Sequence, residues 1–310
     1  MKFIPFFLIC CISTFAQKSS KDTLVRYFDA RLEPCKKKEF VFIGVIIRDP
    51  LGWNGIIYDD SARVIMRGKY ASQDCTIKNG WFLYYHPNGK NSVGGKFENN
   101  IRQGLWMRWY PSGKLSDSIL FVNGQINGPS FSFYENGSPE SSGNYLNGYP
   151  DKDWTYFHAN GTMSTREKYK DGKLADIECF DTTGKSTGIS CAVFRNPEII
   201  GRYGGIMKFM QDSIALPIDV SNVKLGVVQV EFTVSKDGTM YDLKILSSPD
   251  PILSNEVIRV VKSVPGWYPA ISHNRSVDYT FTMNIPFSEL QVTVTGSWYE
   301  PRWWDYPVDY

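Results

Sequence analysis

The sequence lacks the residue patterns that most enzymes and nucleic-acid-binding proteins need. It has three histidines, no Cys-x-x-Cys pair and no paired carboxylates in a recognisable catalytic frame, so zinc, thioredoxin-like and hydrolase chemistry have no support. The formal net charge is +2, and the longest basic run is Lys36-Lys37-Lys38, so no charge feature indicates nucleic acid. We therefore predict a non-enzymatic protein that uses no metal and no cofactor.

A hydrophobic run long enough to cross a bilayer, about 20 residues, is also missing. Residues 3–12 form a shorter apolar segment, and Thr14-Phe15-Ala16 has the small residues of a cleavage site. This pattern predicts a signal peptide over residues 1–16. The alternative is a lipoprotein acylated at Cys10 or Cys11, but neither cysteine follows a small residue. We expect a protein of the periplasm or cell envelope that does not span the membrane after cleavage.

Four cysteines remain after this cleavage: Cys35, Cys75, Cys179 and Cys191. An even number in an oxidising compartment permits two disulfides. Cys179 and Cys191 flank the turn at Gly184, so we predict that these two form a pair.

A repeat runs through the middle of the chain. Turn glycines follow one another at spacings of 24, 24, 24 and 23 residues, at Gly89, Gly113, Gly137, Gly161 and Gly184. An aromatic residue lies four positions before each glycine, and a second turn pair such as Asn123-Gly124 follows at a fixed distance. A constant period in the low twenties is typical of a repeat architecture.

Each repeat is predicted to be a β-hairpin. Apolar residues four and six positions before the turn glycine lie on one strand face, because side chains alternate along a strand. The Asn-Gly turn pair favours a two-residue hairpin turn with positive φ at both positions. Hairpins side by side would build one long antiparallel sheet over residues 78–190, preceded by a β segment over residues 17–77 with a degenerate unit near Gly68-Lys69-Tyr70.

The aromatic-turn-Gly-Lys pattern, clear from Tyr85 to Lys90 and from Trp109 to Lys114, resembles the MORN-repeat variant family over residues 78–186. The resemblance implies a binding or spacing module. His86 and His158 occupy a slot that Tyr110 and Tyr134 fill in the repeats between. This interchange indicates a structural strand position whose tip reaches water, in preference to a ligand site.

After Gly201 the period ends and a different pattern begins. A helical face carrying Ile206, Phe209, Met210 and Ile214 is followed by two alternating strands around Asp237-Gly238. A short helix capped by Ser254 and a third alternating strand complete the segment. The order predicts an α-β-β-α-β domain over residues 200–289, so the fold class is mainly β with a C-terminal α+β domain.

Three segments of this domain carry a resemblance: "GVVQVEFTVSKDGTMYDLKILSS", "LSNEVIRVVKSVPGWYPA" and "VDYTFTMNIPF". Together they resemble the TonB C-terminal domain family over about residues 204–287. Leu216-Pro217 replaces the usual Tyr-Pro, and Asn274-Arg275 replaces an expected glycine. Family members bind outer-membrane receptors, which implies partner binding here. We interpret Trp267 and Pro269 as a packed corner, whereas the aromatic tail at residues 290–310 forms a contact surface or folds back on the repeat sheet.

Three functions compete on these observations. A cell-envelope interaction protein that supports TonB-type transmembrane transport by binding outer-membrane or periplasmic proteins ranks first. A structural or adhesive repeat protein ranks second, and a hydrolase ranks third for want of a nucleophile-base set.

The third strand is the candidate binding site. It follows a helix and not a hairpin, so it is predicted to lie at the sheet border, where unpaired backbone groups accept an added strand. Gln291 to Thr295 also alternates and competes for the same edge. The predicted partner-binding residues are Tyr279, Thr280, Phe281, Thr282, Met283 and Asn284.

Overall fold

The computed structural model describes residues 22–189, 191–201, 205–215 and 222–288, and the backbone of residues 295–296. The predicted signal peptide, the Leu216-Pro217 segment and the tail after residue 296 lie outside this range. In the described part, no helix is long and apolar enough to cross a membrane. The chain forms two compact units, with the boundary between Lys185 and Ser186.

In its described residues, the first unit is built from β-strands. Their bounds are β1 (Thr23–Phe28), β2 (Pro34–Cys35), β3 (Phe42–Asp49), β4 (Gly52–Tyr58), β5 (Val64–Tyr70), β6 (Lys78–Tyr85), β7 (Asn91–Glu98), β8 (Ile101–Trp109), β9 (Leu115–Val122), β10 (Gln125–Phe133), β11 (Pro139–Leu146), β12 (Tyr149–Phe157), β13 (Met163–Lys170) and β14 (Lys173–Phe180). Strand β15 (Ser186–Gly188) follows the boundary.

These strands form one antiparallel sheet in which neighbours in sequence are neighbours in space. The single departure is at one end, where β1 lies between β3 and β2. The predicted long antiparallel sheet of repeated hairpins is therefore confirmed. The hairpin of β4 and β5 contains the predicted degenerate unit, and Ala62, at φ 61°, takes the turn position that glycine holds in the later repeats.

Two kinds of turn alternate along the sheet. At the five turn glycines φ lies between 80° and 92°, whereas Asn88 before Gly89 does not have positive φ. The amide of His86 donates to the Lys90 carbonyl, and the Gly89 amide donates to the His86 carbonyl. The prediction of two positive φ angles at Asn88-Gly89 is therefore wrong, since one left-handed residue closes this longer loop.

The second turn pairs do have the predicted geometry. Both residues of each pair have φ between 50° and 84°, at Asn99-Asn100, Asn123-Gly124, Asn147-Gly148 and Asp171-Gly172. Two consecutive left-handed residues match the twist of the flanking strands and favour asparagine, aspartate and glycine. The predicted two-residue turns therefore exist, but they connect the strands at the ends opposite the turn glycines.

Aromatic rings packed over glycines form the core of the first unit. The rings of Tyr70, Phe82, Phe97 and Trp106 follow one another edge to face, with centroids 5.0 to 5.2 Å apart. A Cβ atom added at Gly95 would lie 2.2 Å from Cδ2 of Trp106. Gly68 under Phe82 and Gly143 under Trp154 repeat the arrangement at 2.2 and 2.1 Å, so each of these three rings needs a glycine on the preceding strand.

One repeat reverses this arrangement. Ser130 takes the position of the large ring, and its cross-strand partner is the fully buried Ile119, which takes the position of the glycine. Each of these pairs still joins a large residue to a small one. In this repeat, however, the large residue lies on the earlier strand β9 and the small one on the later strand β10. The volume between the strands is thereby conserved, as close packing requires.

Within its described residues, the second unit combines two helices with short and long strands. Their bounds are β16 (Phe194–Arg195), β17 (Glu198–Ile199), α1 (Gly205–Ser213), β18 (Gly226–Val234), β19 (Met240–Ser247), α2 (Pro251–Lys262), β20 (Trp267–Tyr268), β21 (Ala270–Ser272), β22 (Arg275–Val277), β23 (Tyr279–Phe287) and β24 (Thr295–Gly296). The main sheet has the order β19-β18-β23-β24. The predicted α-β-β-α-β order of α1, β18, β19, α2 and β23 is confirmed.

The core of this unit lies between the helices and one face of the sheet. Helix α1 buries Ile206, Phe209 and Met210, as the helical pattern predicted. Helix α2 begins earlier than predicted, because Asp250 is its N-cap and accepts a hydrogen bond from the Ile252 amide at 2.8 Å. The prediction of Ser254 as N-cap is wrong, since an Asp-Pro start satisfies the first amides one turn sooner.

Residues before α1 also belong to the core. Strand β17 pairs with β20, and β16 pairs with β21. Ile199 is 2 % exposed and packs in the same cluster as Trp267. The sequence did not predict these pairings, because two-residue strands are too short to show a period.

Candidate functional site

Strand β23, the candidate binding strand, lies inside the C-terminal sheet. Along one side it pairs with β18 over nine residues without a register shift, from Tyr279 opposite Val234 to Phe287 opposite Gly226. On the other side Met283 faces Gly296, and Asn284 faces Thr295. The border on this side is therefore β24 and not β23, because the chain after β23 returns and pairs with it.

The side chains of β23 alternate between the core and the opposite face. Tyr279, Phe281 and Met283 are buried, whereas Thr280 and Asn284 are exposed and Thr282 is half-buried. The Thr280 hydroxyl lies 2.9 Å from the hydroxyl of Thr233, and the Thr282 hydroxyl donates to Glu231 Oε2 at 3.4 Å. Thr280, Thr282 and Asn284 thus form a polar row along β23, next to any strand that pairs with β23 on the side away from β18.

A proline shows which backbone groups of β23 point away from β18. Pro286 has no amide hydrogen, yet it lies in the regular ladder opposite Val227. Proline is accepted within a strand where its nitrogen faces away from the partner. By the two-residue alternation of an antiparallel ladder, the amides of Thr280, Thr282 and Asn284 point away from β18 as well, towards the side of β24.

The opposite border of the sheet is built differently. Strand β19 pairs with β18 with two register shifts, and Asp242 within it has φ 56°. Lys244 Nζ donates to Asp242 Oδ2 at 2.6 Å, and the Tyr241 hydroxyl donates to Asp278. Bulges and charged side chains are the usual protection of a sheet border against added strands.

Trp267 and its neighbours form a packed corner. The Trp267 ring is 4 % exposed, and its centroid lies 5.8 Å from Phe232 and 5.5 Å from Phe281. A Cβ atom at Gly238 would approach the Trp267 carbonyl oxygen to 2.4 Å, so the turn after β18 needs glycine both for space and for its φ of 83°. The arrangement agrees with a packing role.

The two histidines of the repeats connect one repeat to the next. His86 Nε2 lies 2.8 Å from the Trp109 carbonyl, and His158 Nε2 lies 3.1 Å from the Phe180 carbonyl. The hydroxyls of Tyr110 and Tyr134 donate to the equivalent carbonyls 23 residues later. A carbonyl only accepts, so each histidine nitrogen must donate. The structural interpretation thus fits, but the tips reach a neighbouring repeat and not water.

The cysteines fall into two groups. Cys35 and Cys75 are free thiols, and burial raises the pKa of the Cys75 thiol to about 12. Cys179 and Cys191 are each disulfide-bonded. Their pairing with one another stays a prediction.

The described residues contain no group of three or more histidine, cysteine, aspartate or glutamate side chains that could hold a metal ion. One Gly-x-Ser-x-Gly segment, Gly184 to Gly188, has the spacing of a nucleophile elbow. Ser186 within it begins the short strand β15, whereas such an elbow requires a strand-to-helix turn.

Comparisons with known families agree with this architecture. Residues 221–288 match the family model described as "Gram-negative bacterial TonB protein C-terminal". Residues 102–123 and 126–147 match the model described as "MORN repeat variant", and each of these two matches covers one strand pair, β8–β9 and β10–β11. Both resemblances are confirmed. No curated protein matches the chain.

Proposed function

We propose that the protein is a non-enzymatic cell-envelope protein whose TonB-like domain binds outer-membrane or periplasmic proteins in support of TonB-type transport. One observation carries this proposal. Strand β23 is regular over nine residues and directs alternate backbone groups away from β18, towards a side where the described neighbour β24 has two residues. A regular strand of this kind is a template for an extended peptide.

The β23 side suits strand addition better than the β19 side. An added strand needs a row of backbone groups at even spacing, and the bulge at Asp242 interrupts that row on β19. The partner strand would displace β24 or extend beside it. Two paired residues offer few backbone hydrogen bonds, each worth about 1 kcal/mol net, so exchange for a longer strand is favourable.

A proline substitution tests the proposal directly. Thr282→Pro removes one amide that points away from β18 and leaves the β18 ladder intact, as Pro286 already does. Binding to peptides from the periplasmic segments of outer-membrane receptors should weaken about tenfold, since one backbone bond and its local geometry are lost. Thr282→Ala is the matched control, because it removes the hydroxyl contact to Glu231 and retains the amide.

Two truncations separate the role of β24 from that of the tail. A chain that ends at Ser288 lacks β24 and should bind the peptides more tightly, whereas a chain that ends at Gly296 retains β24 and should bind like the parent. Isothermal titration measures all four variants. If Thr282→Pro folds and binds as the parent does, and neither truncation changes affinity, β23 is not the docking strand.

A structural or adhesive role for the repeats is the second candidate. The observation in its favour is that turns of successive repeats are joined by side-chain hydrogen bonds, as between Asn88 Nδ2 and the Pro111 carbonyl at 2.7 Å. Such joints favour a stiff spacer. Pull-down from envelope extracts separates the two roles, because proteins captured equally by the parent and by Thr282→Pro depend on another surface.

A further inference from the structure

A cleft opens on the repeat sheet between the turn at Leu51 and the turn at Asn99. Its volume is about 380 Å³, and Gly80 forms its floor. A Cβ atom added at Gly80 would approach Cβ of Lys69 to 2.8 Å, and the φ of 134° at this position also favours glycine. The volume lies within the range of small-molecule sites. We name this feature the Gly80 cleft.

Trp81 stands at the rim of the Gly80 cleft. It directly follows Gly80 and pairs with Lys96, which lines the cleft. Directly paired residues of an antiparallel ladder share one face, with Cβ atoms about 4.5–5.5 Å apart. Trp81 is 62 % exposed, whereas the next residue, Phe82, is buried on the opposite face. The cleft therefore has an open aromatic surface beside it.

The charged groups of the Gly80 cleft are paired with acidic side chains. Lys96 Nζ lies 2.6 Å from Glu98 Oε1, and Lys69 Nζ lies 3.3 Å from Asp49 Oδ2. The charges of these two pairs cancel, so the cleft favours neither an anion nor a cation. The ammonium and carboxylate groups still have donors and acceptors to offer, because one ion pair does not saturate them.

Two asparagine amides at the rim add hydrogen-bonding groups that the fold does not use. Asn79 and Asn99 are exposed, and in the described part of the chain neither side chain forms a hydrogen bond with another residue. The next turn residue differs, since Asn100 donates to the Thr76 carbonyl and accepts from the Lys78 amide. An amide both donates and accepts, which suits hydroxyl groups.

We propose that the Gly80 cleft binds a short neutral glycan. A sugar ring has a face of C–H groups and a rim of hydroxyls, so it needs an apolar surface beside donors and acceptors. The exposed Trp81 provides the apolar surface, and Leu51, 82 % exposed, borders the cleft as well. The ion pairs and amides provide the donors and acceptors. All of these residues lie in the first unit, so the proposal does not depend on strand addition at β23.

Ligand-observed NMR of the full chain tests the proposal with four neutral disaccharides: maltose, cellobiose, lactose and N,N′-diacetylchitobiose. At least one of them should receive saturation from the protein, and a titration then gives its dissociation constant. Glucose 6-phosphate and glucosamine are the anionic and cationic probes, and neither should bind more tightly than glucose. Absence of saturation transfer to all four disaccharides would overturn the proposal, and so would a preference for either charged sugar.

Substitutions at the rim locate the bound disaccharide. Trp81→Ala should weaken binding about tenfold, as expected when an aromatic anchor is lost, whereas Trp81→Phe keeps a ring and should retain most of the affinity. Tyr149→Ala is the matched control, because Tyr149 is 61 % exposed on β12 of the same sheet, and this variant should bind as the parent does.

Asn99→Gly provides a second test at the other side of the cleft. It removes one amide and accepts the positive φ of the turn, so binding should weaken about fivefold for one lost hydrogen bond. Circular dichroism checks that each variant is folded. If both Trp81→Ala and Asn99→Gly bind the disaccharide as the parent does, the sugar binds elsewhere and the proposal is wrong.

Discussion

Replacing Gly95 by alanine tests the idea that glycines seat the rings of the repeat core. The added methyl group would lie 2.2 Å from Cδ2 and 2.3 Å from Cε2 of Trp106. Moving the Trp106 ring away from the added methyl group would cost free energy, because a hydrogen bond and two aromatic neighbours hold the ring in place. Its Nε1 donates to the Lys96 carbonyl at 3.2 Å, and Phe97 and Phe121 flank it at 5.0 and 6.0 Å between centroids.

The expected loss follows from two opposing effects. Overpacking a close-packed core costs about 1–3 kcal/mol, whereas alanine in place of glycine within a strand gains about 0.5–1 kcal/mol. Gly95→Ala should therefore lower the free energy of unfolding by up to about 2.5 kcal/mol, and by about 1.2 kcal/mol at the midpoints of the two ranges. Gly94→Ala, one residue earlier and on the opposite face, meets the tip of Leu83 at 3.0 Å and makes ordinary contacts with Trp109 Cζ3 at 3.4 Å and the Phe82 carbonyl oxygen at 3.5 Å. It should be neutral or stabilising.

Urea unfolding followed by far-ultraviolet circular dichroism measures both variants. The double variant Gly95→Ala, Trp106→Leu completes a mutant cycle, in which the smaller side chain should remove most of the alanine penalty. The reasoning would be refuted if Gly95→Ala were as stable as Gly94→Ala, or if the two changes in the cycle were additive.

Four further predictions follow from the same structure. Ser130→Trp should destabilise the sheet by about 1–3 kcal/mol through overpacking against Ile119, and Ile119→Gly in the same chain should recover part of the loss in urea unfolding. Non-reducing peptide mapping should find Cys179 linked to Cys191, with a stabilisation of about 3 kcal/mol on the chain-entropy estimate; two free thiols would contradict this. Ile199→Ala should cost about 2–5 kcal/mol, whereas the neighbouring Ile200→Ala, 44 % exposed in the parent, should cost far less in a thermal melt. Burial raises the pKa of the Asp117 carboxyl above 3.8, so its contribution to stability is present below that value and is lost as pH rises through the folded-state pKa; the stability of Asp117→Asn relative to the parent should therefore increase with pH.

Features with a long period could be predicted from the sequence. The turn glycines predicted the hairpins from β6 onwards, and the alternation from Tyr279 to Phe287 predicted which side chains of β23 are buried. Each of these signals repeats many times or extends over many residues, so the errors of single positions do not matter.

Features that depend on strand register, and strands of only two residues, could not be predicted from the sequence. The exchange between Ile119 and Ser130 is visible only once the strands are aligned, because the partners lie eleven positions apart across a bulged ladder. The two-residue strands β17 and β24 carry no period. Pro286 did hold a usable signal, since it indicates the direction of the amides in β23.

The side-chain hydrogen bonds that join the loops of successive turn glycines all run the same way along the chain. His86, Tyr110, Tyr134 and His158 donate to carbonyls 22 or 23 residues ahead, and Asn88, Asn136 and Asn160 do likewise. At these loops each repeat therefore offers side-chain donors to its successor and carbonyl acceptors to its predecessor, which gives this side of the array a direction. During synthesis the donors of a finished repeat await the one still being made, so the sheet can lengthen hairpin by hairpin in the order in which the chain emerges.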